Sequence, residues 1–209
     1  MRALILVDIQ NDFVSGSLAV INGGEVVPVA NQLIGKFGLV VATQDWHPAD
    51  HKSFASQNEG VNVGQQFDLN GLPQTAWPDH CIEDSAGAEF VEQLDAAARE
   101  NVFRKGTNPE IDSYSGFFDN DHRSATGLGE FLKSKSVTEV FVMGLATDYC
   151  VKFTALDAIG LGLKTNLVID GCRGVELRDG DIKTAVQEMK DAGVTIVRSN
   201  EIETEESAV

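Results

Sequence analysis

Six runs of apolar, largely β-branched residues recur along the chain: ALILV (3–7), GLVVATQ (38–44), NVFRK (101–105), TEVFVMG (138–144), TNLVID (165–170) and VTIVR (194–198). Most are continuous rather than alternating. A strand with one wet face alternates apolar and polar residues, whereas a strand covered on both faces reads as an unbroken apolar run. Between them lie stretches with helical spacing at 27–37, 88–100, 127–134, 148–159 and 179–192, with Gly160 and Gly193 where helices would stop. This alternation predicts an α/β fold with three layers, α/β/α, around a mainly parallel central sheet of Rossmann-type topology.

The 209 residues read as one domain with a long insertion at about 46–85. That insertion is rich in Pro, Gly, Asn and Gln and carries three of the four histidines. A second polar segment, 107–123, is punctuated by glycine. Long loops without structure of their own inside a compact domain are usually functional. The terminal EIETEESAV reads as a frayed acidic tail. GxGxxG and GxxxxGK[ST] are both missing, so a nucleotide-phosphate cradle has no support.

The formal net charge of −16 argues against nucleic acid and anionic membrane as partners. The first apolar run is too short to span a bilayer, and no small-residue cleavage site follows it. Cys81, Cys150 and Cys172 form no CxxC pair, which fits a reducing compartment and a cytoplasmic protein. Assembly into a homo-oligomer is left open.

In a parallel sheet, ligands bind beyond the carboxyl ends of the strands. Asp8 follows the first run, Asp45 and His47 follow the second, Lys105 closes the third, and Cys150 follows the fourth across a short turn. Thr147 is a candidate N-cap with Asp148 in the first helical turn, which would put Cys150 at a helix N-terminus, where thiol pKa falls. Taken alone, such a cysteine is a small buried hydrophobe as readily as a nucleophile. Asp8 and Lys105 at neighbouring strand ends favour the nucleophile: a carboxylate takes the thiol proton, and a lysine steadies the developing charge.

Asp45 and His47, two apart in extended chain, share a side, and His80 arrives from the long loop. Asp, His and His suit a divalent ion with open positions for water. His51 reads as ligand, outer neighbour or cap, and His122 as a surface residue. Trp46 reads as core, while Phe13, Trp77 and Tyr114 sit in polar loops and are candidates to sandwich a flat ring.

DIQNDF, DWHPADH, WPDHC, RKG and GLATDYCV, in this order, resemble the nicotinamidase/pyrazinamidase branch of the isochorismatase-like cysteine hydrolases. The match runs from the first strand to Asp170. The resemblance implies Asp8 as base, Lys105 as triad lysine and Cys150 as nucleophile. It implies Asp45, His47 and His80 as ligands of one divalent ion, Zn2+ first, with Fe2+ or Mn2+ as alternatives. It implies a cis peptide bond at Leu145–Ala146, an oxyanion hole from the amides of Ala146 and Cys150, and a pocket of Phe13, Trp77 and Tyr114. The implied small-molecule substrate is nicotinamide, or its analogue pyrazinamide, hydrolysed through a thioester in NAD salvage. His51 stays unassigned. Two rivals remain: a cysteine hydrolase of carbamoyl or ureido compounds, and a silent binding protein on the same fold.

Overall fold

The structure, a computed structural model, describes residues 1–204. In chain order it contains β1 (Arg2–Val7), α1 (Asn11–Val14), α2 (Val26–Ile34), β2 (Val40–Asp45), β3 (Gln66–Leu69), β4 (Leu72–Thr75), β5 (Val102–Lys105), α3 (Leu128–Ser134), β6 (Glu139–Leu145), α4 (Lys152–Gly160), β7 (Lys164–Arg173), α5 (Asp181–Asp191) and β8 (Thr195–Val197). Six strands form one sheet in the order β5-β2-β1-β6-β7-β8, and every pairing in it is parallel. Among the described residues no helix is long and apolar enough to cross a membrane.

The unbroken apolar runs explain this sheet. In β1, residues Ala3 to Val7 are all fully buried, so both faces of the strand are covered. Each fully buried leucine or isoleucine contributes about 1.5–3 kcal/mol relative to exposure. The α2 crossover moves from β1 outward to β2, whereas the α3, α4 and α5 crossovers run the other way along the sheet. Right-handed crossovers in opposite directions place their helices on opposite faces, which gives the three layers. α2 turns Val26, Val27, Ala30, Leu33 and Ile34 inward, a stripe at helical spacing.

The direction reversal has a second consequence. The chain leaves β1 toward one edge and leaves β6 toward the other, and these two strands are neighbours. A crevice opens at such a switch point, beyond the carboxyl ends of the strands. Asp8 and the turn after Leu145 border it.

Three expectations change. Residues 88–100 form no α-helix; only Ala96–Arg99 make a short 3-10 turn. The apolar positions Ala88, Val91 and Leu94 are buried as expected, but nonlocal bonds occupy the main chain. Asn11 donates to Glu89 O, Val91 donates to Ile9 O, and the Gln10 and Gln44 side chains donate to Ala88 O. The 46–85 segment contains a β3–β4 hairpin, closed at Asn70 and Gly71 with φ of 55° and 89°. That Asn-Gly pair is a turn signal for hairpins because both positions require positive φ. The tail beginning at Glu201 packs down at first: Ile202 is buried and its carbonyl accepts from Lys36. The rest of that tail, 205–209, lies outside the described residues.

Candidate active site

The register between strands brings the expected residues together. Asp45 pairs with Lys105 across β2 and β5, and Val7 pairs with Gly144 across β1 and β6. Beyond them the Lys105 ammonium, 2% exposed as a residue, is surrounded by four groups. It lies 2.9 Å from Asp8 Oδ2 and 2.5 Å from Asp45 Oδ1. It also donates to Ser113 O at 2.9 Å and to Cys150 Sγ at 3.3 Å. Thr43 donates to Asp8 Oδ1 at 2.6 Å.

Burial raises the Asp8 carboxyl to about 6, against the opposing pull of Lys105. Burial also pushes the Cys150 thiol well above its usual value, with Lys105 acting the other way. For Lys105, burial favours the neutral form, but Asp45 and Asp8 outweigh it and keep the ammonium charged. Asp45 is likewise penalised by burial, and Lys105 with His47 overcomes this and holds the carboxyl well below the usual range. The resting arrangement is a protonated thiol within 4.8 Å of a carboxyl poised to receive its proton.

This corrects the expected origin of thiol activation. Thr147 does not cap a helix. Thr147–Val151 form a π-helical turn ahead of α4, and its cap residue is Ala146, without a side-chain bond. The Asp148 carboxylate turns instead to the amides of Val175 and Glu176, tying down the chain after β7. Cys150 still lies in the first turn of this helical segment, as expected, but burial raises its thiol and so calls on a neighbouring base. The Leu145–Ala146 peptide bond is cis, as expected.

The Asp45 carboxylate also borders a histidine cluster. Its Oδ2 lies 3.6 Å from His47 Nε2 and 3.8 Å from His80 Nε2. The outer nitrogens are held: His47 Nδ1 lies 2.8 Å from Gly106 O, and His80 Nδ1 lies 2.8 Å from Pro78 O. A ring nitrogen donating to a carbonyl leaves the other nitrogen's lone pair free for a metal. Gly106 makes room for this, since a Cβ there would lie 2.3 Å from the His47 ring. The His51 ring stands 4.4 Å from that of His47, and its buried Nε2 has no hydrogen-bond partner. Two inward lone pairs and the Asp45 carboxylate make a donor set that fits a divalent ion, and His51 groups with His47 and Asp112 beside it.

A narrow cavity reaches both Cys150 and His80. Phe13, Trp77 and Tyr114 line it, together with Leu18, Asp112, Tyr149 and Val175. Trp77 Nε1 donates to the Tyr114 hydroxyl at 3.1 Å, and Trp77 meets Tyr149 edge-on at 4.7 Å. Flat aromatic walls thus meet the Cys150 thiol, the Asp45 carboxylate and the His80 imidazole in one cavity. Trp46 is buried away from the cavity under the Arg104 guanidinium, 3.7 Å from its ring centre. His122 stacks on Phe118 at the surface and pairs with Asp157 at 3.3 Å.

Residues 2–201 match the isochorismatase domain. The chain belongs to the isochorismatase family. Within that family it is 52% identical over 200 residues to the nicotinamidase of Escherichia coli K12, covering 93% of each chain. A solved nicotinamidase/pyrazinamidase from Acinetobacter baumannii superposes with a TM-score of 0.92 at 42% identity, over 96% of this chain and 97% of that one. The pyrazinamidase of Pyrococcus horikoshii, solved in complex with zinc, superposes at 0.78 with 36% identity, over 94% and 98% of the two chains.

Several residues that shape this isochorismatase-family site escaped the sequence reading. Asp112 is 4% exposed, and its side chain groups with those of His47 and His51 within 4.8 Å. Gln74 donates to it at 2.8 Å. Tyr149 had a signal, being an aromatic next to the nucleophile. Asp112 and Gln74 had none, because each sits in a polar loop among similar residues.

Proposed function

We propose that this chain hydrolyses nicotinamide to nicotinate and ammonia, with pyrazinamide as a related substrate. The observation carrying this reading is an aromatic-walled cavity that reaches the Cys150 thiol together with Asp45 and His80 of the donor set. A six-membered aromatic amide suits these groups chemically, its ring nitrogen matching the donors and its carboxamide the thiol. The similarity to the Escherichia coli nicotinamidase supports the same substrate.

Asp45, His47 and His80 would hold one divalent ion, with His51 close by. The zinc in the Pyrococcus horikoshii pyrazinamidase makes Zn2+ the first candidate, ahead of Fe2+ or Mn2+. Bound there, the ion supplies a Lewis-acid anchor for the ring nitrogen. The remaining chemistry belongs to the chain. Phe13, Trp77 and Tyr114 orient the ring and exclude water. Asp8 takes the Cys150 proton, and the sulfur attacks the carboxamide carbon. The displaced electron pair settles on oxygen, facing the amides of Ala146 and Cys150. Lys105 stays charged and steadies both Asp8 and the sulfur. As the carbon–nitrogen bond breaks, Asp8 returns the proton and ammonia leaves. Water, deprotonated by Asp8, then opens the thioester, the thiol recovers its proton, and nicotinate departs. This chemistry places the chain in salvage of NAD breakdown products, and a cytoplasmic location is proposed with it.

The test is release of ammonia and nicotinate from nicotinamide by the purified chain, before and after chelation and ion add-back. Activity lost and restored, and absent in Cys150→Ala, is the expected result. A folded, Zn2+-loaded chain that leaves nicotinamide intact but cleaves a carbamoyl or ureido compound would overturn the substrate.

A further inference from the structure

Gln10 is fully buried two residues after Asp8, and the mechanism above gives it no part. Its carboxamide makes three bonds. Nε2 donates to Asp45 O at 2.8 Å and to Ala88 O at 2.7 Å, and Oε1 accepts from Asp45 N at 2.9 Å. All its amide hydrogens are used, and the orientation is unambiguous because both Nε2 partners are carbonyl oxygens.

The two bonds to Asp45 have the pattern of a missing strand. The β1–β2 ladder stops at Leu6 and Ala42, three residues before Asp45, and the chain turns away at Asp8 with a φ of 48°. On its other side β2 continues to pair with β5 as far as Asp45. The N–H and C=O of Asp45 on the β1 side thus lie past the end of that ladder, and the side chain of Gln10 supplies both bonds. The orientation matters because the Asp45 carboxylate serves two partners at once. One oxygen meets Lys105, and the other faces His47 and His80. A small rotation of the Asp45 main chain would move both oxygens.

We propose that Gln10 is a positioning residue for the ion site: its carboxamide clamps the main chain of Asp45 and so sets where the carboxylate points. This rests on reading Asp45, His47 and His80 as ion ligands. Gln10 touches no substrate and acts only through Asp45. Gln44 provides a matched control, because its side chain donates to the same Ala88 carbonyl, at 3.0 Å, from the residue next to Asp45.

The test measures Zn2+ affinity of the full chain by competition with a chromophoric chelator, alongside thermal midpoints. Gln10→Leu removes all three bonds. Gln10→Glu keeps the length and the acceptor for Asp45 N–H but sets an oxygen against two carbonyls, and it carries the test if the leucine variant fails to fold. Loss of an outer partner of this kind lowers metal affinity about 10- to 100-fold. Both Gln10 variants should fall in that range, with Gln44→Leu staying within about twofold of the unmutated chain at a similar thermal midpoint. Unchanged affinity in the Gln10 variants would overturn the proposal, as would an equal loss in Gln44→Leu. Failure of the unmutated chain to bind Zn2+ would instead overturn the ion-site reading, and that result is visible before any variant is made.

Discussion

Asp45 and Lys105 stand opposite each other on adjacent parallel strands, and their charged ends meet at 2.5 Å in a buried site. Through this one contact the thiol network and the histidine cluster share a carboxylate. Neither group of residues can be altered without consequence for the other.

Removing Lys105 is the most damaging change at this junction. Lys105→Met would leave Asp8 and Asp45 buried without their cation. Breaking a buried pair by deleting one partner costs about 3–5 kcal/mol. Urea unfolding at neutral pH should show a loss of this size, and a loss under about 1 kcal/mol would contradict the central role given to the ammonium.

The raised carboxyl of Asp8 sets an acid limit on turnover. Below about 6 it is protonated and cannot take the thiol proton. The value of kcat/KM should therefore rise with pH and level off above this point, falling about tenfold per unit on the acid side. A profile flat down to pH 4.5 in a folded enzyme would remove Asp8 as the base.

Alkylation should distinguish the three cysteines. All are buried, but only Cys150 lines the cavity and has a carboxyl acceptor beside it. Burial raises all three thiols, Cys172 to about 12 and Cys81 and Cys150 well above their ordinary value, so access and the neighbouring Asp8 decide the order. Iodoacetamide at neutral pH should label Cys150 first, and nicotinamide should slow the labelling. Equal rates at all three positions would favour a silent binding protein.

Ion binding should stabilise the fold. A ligand held only by the native state adds about 2.7 kcal/mol at a hundredfold excess over its Kd. Zn2+ should raise the thermal midpoint, and chelation should lower it. His47→Ala should abolish the difference between the two conditions.

Gly106→Ala probes the same site from outside. The added Cβ would strike the His47 ring at a position whose φ is +66°. Displacing His47 should weaken Zn2+ binding by about tenfold or more. Calorimetric titration showing unchanged affinity would mean the ring can move aside without leaving the ion.

Much of this protein was legible in its sequence because the signals are local. Continuous apolar runs announce strands covered on both faces, and Asp8, Asp45, Lys105 and Cys150 stand at or just beyond the strand ends, where a parallel sheet collects its chemistry. Other features depended on contacts between distant segments. The helical spacing of Ala88, Val91 and Leu94 lost to main-chain bonds with residues 9–11 and with Gln44. The thiol of Cys150 looked as if a helix N-terminus would lower its pKa, yet burial raises it and places the demand on Asp8. Asp112 and the Gln10 clamp carry no local pattern at all. Periodicity and residue order determined the sheet and the candidate reacting groups. Tertiary structure alone decided their protonation, their partners and the orientation of Asp45, because burial and long-range hydrogen bonds exist only once the strands have assembled.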